Sequence, residues 1–187
     1  DDEGNLWIGT TGSGLNFFNA TTGKFVNYRH REGDRSSLSS DHITTLYLDS
    51  KERLWIGSRN GLDMLDLSLP PKDFVFQHFN SVQTPYIAGW DGTMVHTIFE
   101  DKNGQLLVGS ASGLFKLAKD PNGKDYFASI TNTIGLPNAP VRDVSEDSLG
   151  RLLVATGQGV FGQVKGNGEM LQKFYDGNFS TLLVDLD

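Results

Sequence analysis

A short phrase recurs four times along the chain, and it limits the fold more than any other feature. The clearest copy is Leu54-Trp55-Ile56-Gly57 with Gly61-Leu62 shortly after it. Leu6-Trp7-Ile8-Gly9 is followed by Gly14-Leu15, and Leu106-Leu107-Val108-Gly109 by Gly113-Leu114. The fourth copy, Leu152-Leu153-Val154-Ala155 with Gly159-Val160, has drifted but keeps its place. An aspartate stands five residues before each leading leucine, at Asp1, Asp49, Asp101 and Asp147. The leucines at 6, 54, 106 and 152 are 48, 52 and 46 residues apart. A period of roughly 40 to 50 residues made of short strands is the signature of a β-propeller.

The physics of one repeat supports that fold. Leu54, Trp55 and Ile56 are consecutive and apolar, and successive side chains of a strand point to opposite faces. Both faces of that strand are therefore buried, as in a blade stacked between two others. Ile43–Leu48 precedes it as a first strand, the Gly61–Leu65 stretch follows as a third, and Phe74–Phe79 reads as an outer fourth. The same parse places first strands at Val95–Glu100 and Val141–Glu146, and fourth strands at Phe25–Tyr28, Tyr126–Ile130 and Leu171–Tyr175. The expectation is an all-β chain forming one propeller fragment over 1–187. Residues 1–30 are strands two to four of a blade, 43–79, 95–130 and 141–175 are blades, and 179–185 is a lone first strand. That last strand either closes a four-blade ring on the orphaned N-terminal strands or leaves an open arc, to be covered by a second copy or by further blades. Glycine, at 22 residues, interrupts every candidate helix.

Charge and composition exclude several classes. A net charge of −7 argues against a nucleic-acid surface. With no cysteine there is no disulfide, thiolate metal site or cysteine nucleophile. No apolar run approaches the roughly 20 residues that span a bilayer. The chain opens within a repeat, so it reads as a piece of a longer protein. The aspartates recur in every copy, which suits turn residues bonded to their own backbone better than a metal site. The four histidines, His30, His42, His78 and His96, show no ligand spacing. No metal, cofactor or catalytic motif is expected.

The phrase Asp1-Asp2-Glu3-Gly4-Asn5-Leu6-Trp7-Ile8-Gly9-Thr10, continuing through Gly14-Leu15 to Thr22-Gly23-Lys24-Phe25-Val26-Asn27-Tyr28, resembles the two-component regulator propeller repeat. Leu38-Ser39-Ser40-Asp41-His42-Ile43-Thr44-Thr45-Leu46 is similar to that family's lead-in to the next blade. The resemblance covers essentially the whole chain and is weaker in the last two copies, where Leu107 and Leu153 replace tryptophan. It implies a periplasmic sensor ectodomain of a membrane-anchored hybrid two-component histidine kinase, responding to oligosaccharide. The kinase would belong to the parent chain, so this piece is expected not to be an enzyme. Two other classes stand beside it. A propeller lyase or glycoside hydrolase would draw on His42, His96, Arg142 and Asp143 near the channel; the third class is a structural interaction scaffold.

The longest spacing comes from an insertion, residues 80–94, between the second and third blades. It holds Gln83, Tyr86, Trp90 and Asp91, and an aromatic ring beside amides and a carboxylate suits a sugar. The turn carrying Arg59 and Asn60 opens on the same face, and Arg59 can meet a uronic acid carboxylate bidentately. These six residues are the candidate ligand site.

Overall fold

The computed structural model describes residues 4–79, 92–164 and 168–183. Four antiparallel sheets follow one another along the chain. The first holds β1 (Leu6–Gly9), β2 (Leu15–Asn19) and β3 (Lys24–Tyr28). The second holds β4 (Ile43–Leu48), β5 (Arg53–Ser58), β6 (Gly61–Asp66) and β7 (Gln77–Phe79). The third runs through β8 (Val95–Glu100), β9 (Leu106–Ser110), β10 (Gly113–Lys119) and β11 (Asp125–Ser129). The fourth runs through β12 (Val141–Glu146), β13 (Leu152–Thr156), β14 (Gly159–Gln163) and β15 (Leu171–Tyr175). The fold is all-β and its sheets are propeller blades, each a meander with the first strand innermost.

The cores lie between blades. Trp55 and Leu62 pack with Val95, Val108, Phe115 and Phe127 between the second and third sheets. Leu107 and Leu114 meet Val141, Val154 and Phe161 between the third and fourth. Leu15, Ile43, Leu54 and Ile56 join the first to the second. Burial of β5 and β9 on both faces follows from this stacking. The repeat glycine is what allows so close an approach. A Cβ at Gly57 would stand 2.7 Å from Val95 Cγ1, and one at Gly109 2.7 Å from Val141 Cγ1. Glu100 takes hydrogen bonds from the Ser50 amide and hydroxyl, and Glu146 from the Lys102 amide, so β8 and β12 also hook the first turn of the blade before them.

The repeated aspartates act within their own turns. Asp49 Oδ1 accepts from the amides of Lys51 and Arg53, Asp101 Oδ1 from Asn103 and Gln105, and Asp147 Oδ1 from Leu149 and Arg151. Burial pushes the Asp49 carboxyl up, but the Trp55 indole N–H, the Arg53 amide and guanidinium and the Lys51 amide hold it below the usual range.

Two expectations change. The fourth strand of the second blade is β7 alone, not Phe74–Phe79. Pro70 and Pro71 lead into a 3-10 turn over Pro71–Asp73, and proline lacks the N–H a ladder needs. The side chains of Phe74 and Phe76 reach back to Trp7 and Tyr28 of the first blade instead. Residues 179–183 form no strand. They nevertheless sit where a next first strand belongs: the Phe179 amide donates to Thr156 O, as the Ile43 amide does to Thr10 O. Thr181 Oγ1 and the Leu182 amide donate to Asp143 Oδ2. This segment seats on the fourth blade and not on β1, so the described residues form an open arc. Leu6 and Ile8 of β1 are correspondingly 53% and 41% exposed, where their counterparts Leu54 and Ile56 are 3% and 0%.

Candidate functional site

Of the six expected ligand residues, Gln83, Tyr86, Trp90 and Asp91 lie outside the described residues. Arg59 and Asn60 form the exposed two-residue turn between β5 and β6. Asn60 stands at the rim of a hollow of about 620 Å³ whose other walls come from the connection between the first and second blades and from His78 of β7. His30, Arg31, Asp34, Arg35, Ser39 and His78 line it.

That connection, residues 29–42, is tied down by its own short polar side chains. Asp34 Oδ1 accepts from the Ser36 amide and hydroxyl, and the Ser37 hydroxyl donates to Asp34 O and accepts from the Arg31 amide. His30 Nδ1 lies 2.7 Å from Leu38 O and donates to it. The first blade holds one end. Arg29 donates to Asp41 Oδ2 through Nε and Nη2 and to Gly12 O, and its guanidinium keeps the Asp41 carboxyl below the usual carboxylate range.

The second blade holds the other end through a buried charge. Asp63 of β6 has no exposed surface. Its carboxylate accepts from the Ser39 amide at 2.8 Å, from the Ser39 hydroxyl at 2.5 Å and from His78 Nδ1 at 2.7 Å. His78 Nε2 meets Arg35 O at 2.7 Å. A carbonyl and a carboxylate both require a proton, so both ring nitrogens donate and His78 is an imidazolium. The hydrogen bond to Asp63 raises its pKa; burial opposes this, and the Asp63 charge and the Arg35 carbonyl add to it. Serine, histidine and aspartate meet here without forming a nucleophile–base–orienter relay, because Ser39 and Asp63 share one ring nitrogen and a carbonyl takes the other.

This network had a sequence signal that the repeat alignment contains. Third strands carry Phe115 and Phe161 two residues past their glycine, and Asp63 occupies that place in the second blade. A carboxylate in a doubly buried strand demands partners from outside its sheet.

The inner strands form a separate polar row. Each of β4, β8 and β12 has an irregularity, skipping Thr44, His96 and Arg142 in turn. A bulge re-aims the side chain it carries. Thr44 Oγ1 donates to Val95 O, and Arg142 Nη1 donates to His96 Nε2 at 3.1 Å. His96 is therefore neutral with its proton on Nδ1; burial and the Arg142 charge both lower its pKa. Asp143 is occupied by Thr97, Thr181, Val144 and Leu182. His42 stands apart, its backbone bridged to Thr11.

Comparison with known proteins adds the following. The family model described as two component regulator propeller matches residues 37–60, which run from the Asp63-bound loop through β4 and β5 to Asn60. The histidine kinase P4 of Formosa agariphila is 28% identical over 161 residues, covering 83% of this chain and 11% of that protein. Among solved structures, the extracellular domain of BT4673 from B. thetaiotaomicron, named for a hybrid two component system, superposes with a TM-score of 0.67 at 20% identity. That match covers 98% of this chain and 23% of the other. PorZ of Porphyromonas gingivalis, a surface component of the type-IX secretion system, has a TM-score of 0.60 at 17% identity over 93% of this chain and 26% of its own. A virginiamycin B lyase from Staphylococcus aureus has 0.58 at 14% over 93% and 53%. These structural likenesses establish the fold; this chain spans about a tenth of the histidine kinase and about a quarter of the extracellular domain.

Proposed function

We propose that this chain, which carries a two component regulator propeller repeat at residues 37–60, is a ligand-binding piece of a sensor ectodomain. The parent protein is a membrane-anchored hybrid two-component histidine kinase, the propeller lies on the periplasmic side, and the ligand is an oligosaccharide. The observation that carries the reading is the position of the matched repeat. It supplies both Ser39, clamped on Asp63, and Asn60 at the rim of the same hollow. Gln83, Tyr86, Trp90, Asp91 and Arg59 complete the proposed ligand-contacting set. Ligand bound on this face biases the relative orientation of paired ectodomains, and the kinase follows that shift. The piece is a binding module, and the remaining blades of the parent or a second copy cover the ends of the arc.

Screening this chain against a library of plant, algal and host oligosaccharides tests the proposal. At least one compound binding at micromolar affinity or better is the expected result, and a blank across the library counts against it.

A second reading, an enzyme working along the inner strands, draws on the contact between Arg142 and neutral His96. It requires turnover that is lost in His96→Ala. Binding without turnover leaves the sensor reading in place.

A further inference from the structure

We propose that the hollow beside Asn60 selects an anionic ligand, a sugar bearing a carboxylate or a sulfate ester. This rests on the binding-module reading above and narrows it. The motivating fact is an imbalance of charge. The whole chain carries −7, yet Arg31 and Arg35 line this hollow and Arg59 adjoins Asn60 at its rim.

Other arginines of the molecule are engaged. Arg29 is paired with Asp41, Arg53 with Asp49 and Asp125, and Arg151 with Asp147, while Arg142 donates to His96. Among the described residues no carboxylate pairs with Arg31, Arg35 or Arg59, and their guanidinium groups donate no hydrogen bond.

Two carboxylates belong to this part of the fold, one in the wall and one beneath it. Asp34 is bonded by the Ser36 hydroxyl and amide, and the Arg31 charge adds to them in holding its carboxyl below the usual range, so it offsets one arginine of the wall. Asp63 is beneath the surface, where the His78 imidazolium balances it. Glu32 belongs to the same connection but is not part of the wall. With Arg31 and Arg35 in the wall, Arg59 beside its rim and Asp34 facing them, the hollow keeps a net positive charge.

A guanidinium presents a planar fork that matches the paired oxygens of a carboxylate or a sulfate ester. The backbone bearing Arg31 and Arg35 is fixed before any ligand arrives. Arg31 is held at its amide by Ser37, and the Arg35 carbonyl is held by His78. Pre-ordered backbone lowers the entropic cost of closing on an anion.

Calorimetric titration of this chain tests the proposal with four probes: trigalacturonate, sulfated galactotriose, unsulfated galactotriose and sodium sulfate. The expected result is that at least one of the two acidic sugars binds about tenfold or more tighter than the neutral one. Which of them does so identifies carboxylate or sulfate as the preferred group. The double substitution Arg31→Gln with Arg35→Gln removes that advantage, and raising salt weakens acidic-sugar binding but not neutral binding. A urea melt unchanged by the double substitution shows that the loss is local.

Equal binding of acidic and neutral sugars, or an acidic preference that survives the double substitution, overturns the anion inference and leaves the sugar-sensing reading standing. Arginine-dependent binding of sodium sulfate with no binding of any sugar has the reverse meaning: the anion site stands and the sugar reading fails. No binding of either acidic sugar or of sodium sulfate overturns the inference.

Discussion

Asp63 and His78 show how one pair of side chains can fix the wall of a hollow. Burying a lone carboxylate costs several kcal/mol, and here two Ser39 donors and the His78 cation compensate it. Removing the cation alone leaves the carboxylate buried with only Ser39, so His78→Ala is expected to destabilise the chain by about 3 kcal/mol in urea unfolding. The pair also sets a pH dependence. The folded-state pKa of His78 is raised above the unfolded value of about 6.5. Its contribution is therefore fully present below about pH 6.5 and is lost as pH rises through the higher folded value. Urea melts from pH 6 to pH 9 should show the wild-type chain losing stability across that window and His78→Gln losing less. Parallel curves would contradict the assignment of His78 as an imidazolium. Trp7 and Trp55 mark the difference between two copies of one motif. The Trp55 indole donates to Asp49 while Arg53 covers its ring at 5.0 Å, whereas the Trp7 N–H has no hydrogen-bond partner among the described residues, and Asn5 stands in the place of Arg53.

Strands were legible where packing repeats and obscure where it does not. Ile43–Leu48, Val95–Glu100, Val141–Glu146 and Leu171–Tyr175 fall where periodicity places them, because inter-blade burial imposes the same pattern each time. The bulges at Thr44, His96 and Arg142 left no trace in hydrophobic pattern, since they alter pairing and not polarity. Phe74–Phe79 read as an outer strand because its second half alternates apolar and polar, and that half holds β7, while the contacts of Phe74 and Phe76 with Trp7 and Tyr28 take the first half out of the sheet. In the candidate site, Asn60 was identifiable from its turn, while the Asp63 clamp needed partners 24 and 15 residues distant that only the fold brings near. The repeat glycine offers a direct check on stacking. Gly109→Val would drive a side chain into Val141 and Thr97, costing about 1 to 3 kcal/mol in denaturant unfolding. The same substitution at Gly123, whose Cβ would meet nothing within 4 Å, separates contact from conformation, because its φ of +81° adds strain without a clash.

Taken together, the described residues form an open arc, with apolar β1 side chains bare at one end and Phe174 and Tyr175 exposed on β15 of the last blade. Such edges call for cover, by further blades or by another copy. The proposed site is on the face where connections between blades gather, and the 29–42 connection there is braced from both blades. The central claim is that ligand is read at this hollow. Hydrogen–deuterium exchange on this chain, with and without the tightest oligosaccharide from the screen, tests it most directly. The account predicts slowed exchange concentrated in residues 29–42 and 58–61. Slowing confined to residues 95–97 and 141–143 of the inner strands, with 29–42 unchanged, would contradict it.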